Sequence, residues 1–468
     1  MRKIVLEGGC RLAAADLNRS GALPAEAVQA AEKIADDVRA RGDAAVRELC
    51  LRFDGVCPKS FRVPAELVAG AADLVDPEFL SALDCAYDQI LDFHERERTQ
   101  SWFTTRPDGT ILGMQITPVA SAAVYVPGGR AQYPSTVLMD MVPAKVAGVG
   151  RVIMLTPPQA DGSLSAYTLA AAALADVDEV YAVGGAQAIA AAAYGTESIA
   201  PVDKIVGPGN AFVAAAKRRV SGDVGIDMVA GPSEVCVLAD ATADPVVVAA
   251  DLMAQAEHDP LARCFLVTCA PDLPDLVEEA VSRLVSQSPR EKITRASLED
   301  CGTVVVAPDL ARAVEAVNEI APEHLELHCA DAFSLLGKVR NAGAIFVGAW
   351  SSEPLGDYVA GPNHTLPTGG TARFSSPLGV SDFQKRSSVI SYTPEALLAD
   401  APAVQALAQS EGLWAHALSV GLRRRLAEQG LDSYDDLAAA CVDAYRVAWP
   451  HDLNAPGKAS LPGCERRA

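Results

Sequence analysis

Between about residues 121 and 230, short apolar runs, "AAVYVP", "RVIMLTP", "EVYAV" and "KIV", alternate with alanine-rich stretches. Strands separated by helix-length segments pair in parallel, because each crossover brings the chain back to the same end of the sheet. The chain is therefore expected to build a largely parallel sheet covered by helices. Three of the strand ends run into glycine, in "PGGR", "VGGAQA" and "GPGNAF". Glycine there either closes a tight turn or lets the backbone approach a phosphate at a helix N-terminus. None of the three is a G-x-G-x-x-G, and no acidic ribose partner follows at the usual spacing.

A second alternation runs from about 233 to 378, with "EVCVLAD", "CFLVTC", "TVVVAP", "HLELHC" and "AIFVG" as strands. Asp244-Pro245 opens a helix that ends at "AEHDP", and Asp309 opens another that ends at "APEHLEL". Leu310, Val314, Val317 and Ile320 follow helical spacing, so the second helix buries one face. Two Glu-His pairs thus fall at equivalent helix-to-strand corners. Upstream, a helical pattern begins at Pro24 and breaks at Gly42. Asp76-Pro77 starts a helix that runs to about Arg98, and Asp108-Gly109 reads as a hairpin turn. From Val380 to about Ala448 the pattern is mostly helical, with "EGLWAHALSVGLRRRL" its clearest amphipathic segment, and the last twenty residues read as a polar tail.

The chain has 468 residues, half of them hydrophobic, and a net charge of −21. That is enough apolar surface for several cores, and an acidic surface argues against nucleic acid and anionic membranes as partners. Eleven cysteines without a CxxC read as buried thiols in a reducing compartment. No signal-peptide core and no apolar run of bilayer length occurs. A cytoplasmic protein is expected.

Among the seven histidines, His94 and His451 have no supporting neighbours and read as surface residues, and His328 as structural. Gln255 and His258, three apart on a helix, share a face and could form half of a zinc site. Asp357 and His364 lie in "EPLGDYVAGPNHTLPTGG", which reads as a loop carrying a carboxylate and an imidazole. His416 could add a nitrogen ligand or face solvent. Glu323-His324 is either a helix-end pair or an acid/base pair in which a carboxylate beside an imidazole activates water.

Taken together, "VYVPGGRAQYPSTVLM", "GGAQAIAAAAYGT", "VDKIVGPGN", "AGPSEV", "QAEHD", "APEHLEL", "GDYVAGPNHTLPTGGTARFSSPLGVSDFQK" and "EGLWAHALSV" resemble the histidinol dehydrogenase family, in order, from about residue 24 to 425. The resemblance implies a two-step oxidation of L-histidinol to L-histidine with NAD and one zinc ion per subunit. It implies Gln255, His258, Asp357 and His416 as metal ligands, with Glu411 and His416 coming from the second subunit of a homodimer. Glu323 and His324 would be catalytic. Ser233, His364 and Glu411 would contact substrate together with the metal ligands and His324, and Tyr125, Gln187 and Asn210 would contact NAD.

The implied fold is α/β: two related, incomplete Rossmann-like domains of aldehyde-dehydrogenase type, with small N-terminal and C-terminal helical extensions. The expected organisation is an N-terminal arm over 1–23, then a first α/β domain of 24–115 and 233–378 carrying the metal and catalytic residues. A second, NAD-binding domain would cover 116–232, a C-terminal helical extension 379–448, and a tail 449–468. Cys236 and Trp414 depart from the family pattern, and the tail has no counterpart. Two other readings are a paralogue that oxidises another small alcohol such as sulfopropanediol, and a thioester mechanism on Cys236, Cys264, Cys269 or Cys329, all expected to be buried in strands. Glu411 and His364 suit the nitrogens of histidinol better than a sulfonate. A non-catalytic metal or nucleotide binder would not need both acid/base residues beside a full ligand set.

Overall fold

The computed structural model describes residues 1–7, 10–17, 23–128 and 132–429. The expected tail over 449–468, the end of the 379–448 extension and His451 lie outside them. Two compact units divide the chain: one of residues 1–99 and 117–385, the other of residues 100–116 and 386 onward. No described helix is long and apolar enough to cross a membrane.

The first unit holds two parallel sheets. In the five-stranded sheet the order is Glu179–Ala182, Arg151–Thr156, Ser121–Tyr125, Lys204–Val206 and Gly225–Ile226, with every pair parallel. Side chains alternate across it as a pleated strand requires. Ala123, Tyr125, Ile153 and Leu155 enter one apolar cluster, while Ala122, Val124, Val152 and Met154 enter the other. Burial on both faces is why these runs are continuously apolar. Full burial of a side chain such as Ile153 or Leu155 contributes about 1.5–3 kcal/mol.

The six-stranded sheet has the order Arg2–Val5, Thr303–Val306, Arg263–Thr268, Glu234–Ala239, His324–His328 and Ala344–Val347, again all parallel. Cys236 and Leu238 face one cluster and Val235 and Val237 the other. Both alternations expected from the sequence are thus parallel sheets, and the α/β class holds.

Three expectations change. Residues 24–115, grouped above with the 233–378 block, bury their apolar faces elsewhere. Ala27, Ala31, Val38 and Phe61 share a cluster with Ala123 and Tyr125, and Leu83, Ala86 and Ile90 share one with Val124 and Met154. Helix amphipathicity shows that a face is buried, not which sheet buries it. The arm over 1–23 contains Arg2–Val5, an edge strand paired with Thr303–Val306. His94, read as a surface residue, is fully buried in the helix Pro77–Glu95, with Nδ1 2.8 Å from Glu97 Oε2.

The second unit is built around a three-stranded sheet of Gln384–Ser391, Ile111–Pro118 and Trp102–Thr105. The last two form the antiparallel hairpin expected at Asp108-Gly109, where Gly109 takes φ +82°. The strand Gln384–Ser391 interrupts a stretch expected to be mostly helical. Its pattern "QKRSSVIS" is largely exposed, so it carries little apolar periodicity to read. Helices Pro394–Ser410 and Trp414–Gln429 follow.

Candidate active site

The corner "APEHLEL" is built by a helix that is stopped hard. Asp309 caps the helix Leu310–Ile320 by accepting from Arg312 N–H at 2.8 Å. The helix ends at Ala321, one of two non-glycine residues with positive φ (48°) among those described. Pro322 cannot continue a helix, and the chain enters the strand His324–His328 directly. Glu323 and His324 are thereby fixed at the start of a central strand, both almost completely buried.

One neighbouring residue holds both. Glu234 begins the adjacent strand. Its backbone N–H donates to Glu323 Oε2 at 2.8 Å, and its carbonyl lies 3.0 Å from His324 Nδ1. A carbonyl only accepts, so Nδ1 carries the proton and Nε2 keeps its lone pair. Nε2 is buried without a hydrogen-bond partner and stands 3.8 Å from Asp357 Oδ1. Burial holds the imidazole below its ordinary pKa, opposed by the charge of Asp357. Burial also raises the Glu323 carboxyl well above the usual carboxylate range. Ser233, half-buried, directly precedes Glu234.

The candidate metal donors converge on the same place. His258, Glu353 and Asp357 each offer a ligand atom, all within 4.8 Å of one another. Gln255 is buried at the end of the helix Pro245–Ala256. With its amide turned to satisfy the acceptors around it, Nε2 lies 3.2 Å from Glu353 Oε1 and 3.3 Å from the Glu234 carbonyl. That orientation turns Oε1, which can only accept, toward the donor side of the cluster, where its lone pairs could ligate a cation. Imidazole, carboxylate and amide oxygen suit a divalent cation of the zinc type, and the unpartnered Nε2 of His324 and Oε2 of Glu353 are the buried atoms such a site leaves for ion and substrate.

His364 closes one side. Its Nδ1–H donates to the Asp357 carbonyl at 2.9 Å, and Nε2 accepts from Thr136 Oγ1 at 3.2 Å. Glu411 and His416, both exposed, belong to the second unit: Glu411 ends one helix and His416 lies in the next.

Glu353 escaped sequence reasoning because "EPLGDY" reads as a loop. It is in fact a short helix, Glu353–Tyr358, and the four-residue spacing of Glu353 and Asp357 puts both on one face. Of the cysteines, Cys236, Cys264 and Cys329 are buried as expected, but Cys269 is only partly so. Cys269 and Cys329 also lie just past strand ends rather than inside strands. Burial raises the thiols of Cys264 and Cys329, the latter to about 12, which keeps them protonated.

The three residues expected to meet NAD follow strand ends of the five-stranded sheet. Tyr125 ends the strand at which the order reverses, the place where open parallel sheets bind ligands. Its hydroxyl accepts from Gly185 N–H at 3.0 Å. Gln187 is buried with Nε2 unpartnered. Asn210 caps the helix Ala211–Val220, accepting from Phe212 and Val213 N–H. Gly207, at φ +109°, leaves no room for a side chain: a Cβ would come 2.3 Å from the Tyr125 carbonyl. Gly129 and Arg130 of "PGGR" lie outside the described residues.

The sequence profile described as histidinol dehydrogenase matches residues 17–424. Histidinol dehydrogenase of Bacillus licheniformis is 52% identical over 397 residues, 85% of this chain and 93% of that protein. That of Bacillus subtilis is 52% identical over 392 residues, 84% and 92%. The crystal structure of histidinol dehydrogenase from Elizabethkingia anophelis superposes with a TM-score of 0.86 at 32% identity, over 92% of this chain and 99% of that one.

Proposed function

The chain belongs to the histidinol dehydrogenase family, and on that premise we propose that it oxidises L-histidinol to L-histidine through L-histidinal, the last steps of histidine biosynthesis. Gln255, His258 and Asp357 would hold zinc, completed by His416 of a second copy of the chain in a homodimer. Tyr125, Gln187 and Asn210 would hold NAD. When bound, zinc orients and polarises the substrate and NAD accepts the hydride of each oxidation.

The chain's own residues handle the protons. His324 Nε2 takes the hydroxyl proton of the alcohol, with Nδ1–H anchored on the Glu234 carbonyl so that the ring cannot turn away. Glu323 then takes a proton from water, and the hydroxyl adds to the aldehyde carbon. His324 acts again as base when the hydrated aldehyde is oxidised. His364 and Ser233 contact substrate beside the metal ligands, and Glu411 of the second copy contacts a substrate nitrogen.

The observation that carries this reading is the buried, unpartnered Nε2 of His324 facing the donor cluster. It is tested by counting NADH formed per histidinol, before and after chelation. Two equivalents that vanish on chelation and return with zinc support it. Turnover of a sulfonated diol with none of histidinol would instead make the chain a paralogue with another substrate.

A further inference from the structure

We propose that this chain holds a second divalent cation, seated by Asp251, Glu326 and His328, separate from the centre of His258 and Asp357. The three residues are buried, and their ligand atoms lie within 4.8 Å of one another. None of the residues assigned above to substrate, zinc or NAD takes part.

The same two elements that build the first centre build this one. Asp251 precedes Gln255 by four residues on the helix Pro245–Ala256, so both face the sheet. Along the strand His324–His328, residues 324, 326 and 328 share one face. Gln255 and His324 serve the first centre, while Asp251 and His328 meet further along the same helix and strand. Glu326 stands between, its Oε1 accepting from Glu353 N–H at 2.7 Å, which leaves Oε2 for the second seat.

The atoms that face one another there are unsatisfied. Oδ2 of Asp251, Oε2 of Glu326 and Nε2 of His328 are buried without a hydrogen-bond partner. Buried polar groups are nearly always paired, so three facing one another point to something that fills the space between them. The distances say what. His328 Nε2 lies 3.4 Å from Asp251 Oδ2 and 3.4 Å from Glu326 Oε2. A charge-assisted N–H···O bond would be about 2.7–2.9 Å. Ligand atoms on a tetrahedral ion with bonds near 2.1 Å stand about 3.4 Å apart. One imidazole and two carboxylates suit Zn(II) or Mn(II). The competitor is a proton on His328, which would likewise sit between two carboxylates.

The test counts metal. Full-length protein stripped by chelation is titrated with Zn(II), and separately with Mn(II), and bound metal per chain is measured after gel filtration. Two equivalents are expected for the unaltered chain, one for Asp251→Asn or His328→Asn, and one for the double variant His258→Asn, Asp357→Asn. A single equivalent in the unaltered chain, with none left in the double variant, would overturn the proposal and leave a protonated His328 as the occupant. Should Asp251→Asn and His328→Asn fail to fold, the double variant decides alone, since its remaining equivalent has no other seat in the proposal.

Discussion

The backbone carbonyl of Glu234 lies 3.0 Å from Nδ1 of His324, and this contact selects which imidazole nitrogen is free to take a proton. The N–H of the same residue holds Glu323. Both side chains are therefore oriented by the backbone of one residue of a neighbouring strand, whose position is set by parallel pairing and not by a side chain. Side-chain variation around the site cannot easily disturb that arrangement.

His324→Asn is expected to lower kcat by about 10²–10⁴-fold, the usual worth of a general base. Asparagine can still donate to the Glu234 carbonyl, so the fold and the metal content should stay unchanged. Turnover and bound zinc measured on the same preparation check this, and loss of zinc along with activity would show that His324 has been given the wrong role.

Cys236→Ala should retain both oxidations. Cys236 is fully buried in the strand Glu234–Ala239, where a thiol cannot reach an aldehyde. A variant that yields one NADH per histidinol instead of two would establish a thioester route in place of water activation by Glu323.

Gly343→Ala should cost about 1–3 kcal/mol of stability, the range for forcing extra volume into a packed site. A Cβ at this position would come 2.5 Å from the Glu323 carbonyl oxygen, which also accepts from Ala344 N–H at 2.8 Å. Chemical denaturation measures the stability, and kcat should fall further than KM rises because the strain bears on Glu323. An unchanged denaturation midpoint would contradict the packing argument.

Asp140 gives a pH dependence with a definite sign. It is fully buried in the helix Pro134–Ala147, with Oδ1 accepting from Thr365 Oγ1 at 2.8 Å. Burial pushes its carboxyl from 3.8 up to about 8. Between those values the folded chain keeps a proton that the unfolded chain has released, so this group's contribution is full below about pH 4 and is lost as pH rises through 8. Asp140→Asn does not titrate. Melting temperatures of variant and unaltered chain should therefore diverge in the variant's favour from pH 5 to pH 8, whereas parallel curves would mean that Asp140 is ionised throughout.

Much of the site is written in local sequence. The corner at 321–327 combines a helix period, a capping Asp309 and a proline, and each acts within a few residues, so the positions of Glu323 and His324 could be read directly. The strands Ser121–Tyr125 through Lys204–Val206 and Glu234–Ala239 through Ala344–Val347 are legible for the same reason. What could not be read depends on distant partners. Which sheet face the helices of residues 25–95 cover is decided by residues outside their own segments, such as Tyr125 for one face and Val124 for the other. His94 looks solvent-facing until Glu97 and the surrounding core are placed around it. Glu353 follows a serine pair and precedes a proline, which hides the single helical turn that aims it at Gln255.

The pairing of Arg2–Val5 with Thr303–Val306 has a consequence for synthesis. The strand Arg2–Val5 has no place to dock until some three hundred further residues have emerged, and loop closure over such a span is slow. A nascent chain therefore carries an unsatisfied β-edge for most of its translation, so conditions that shield that edge should raise the yield of active protein more than they raise its final stability.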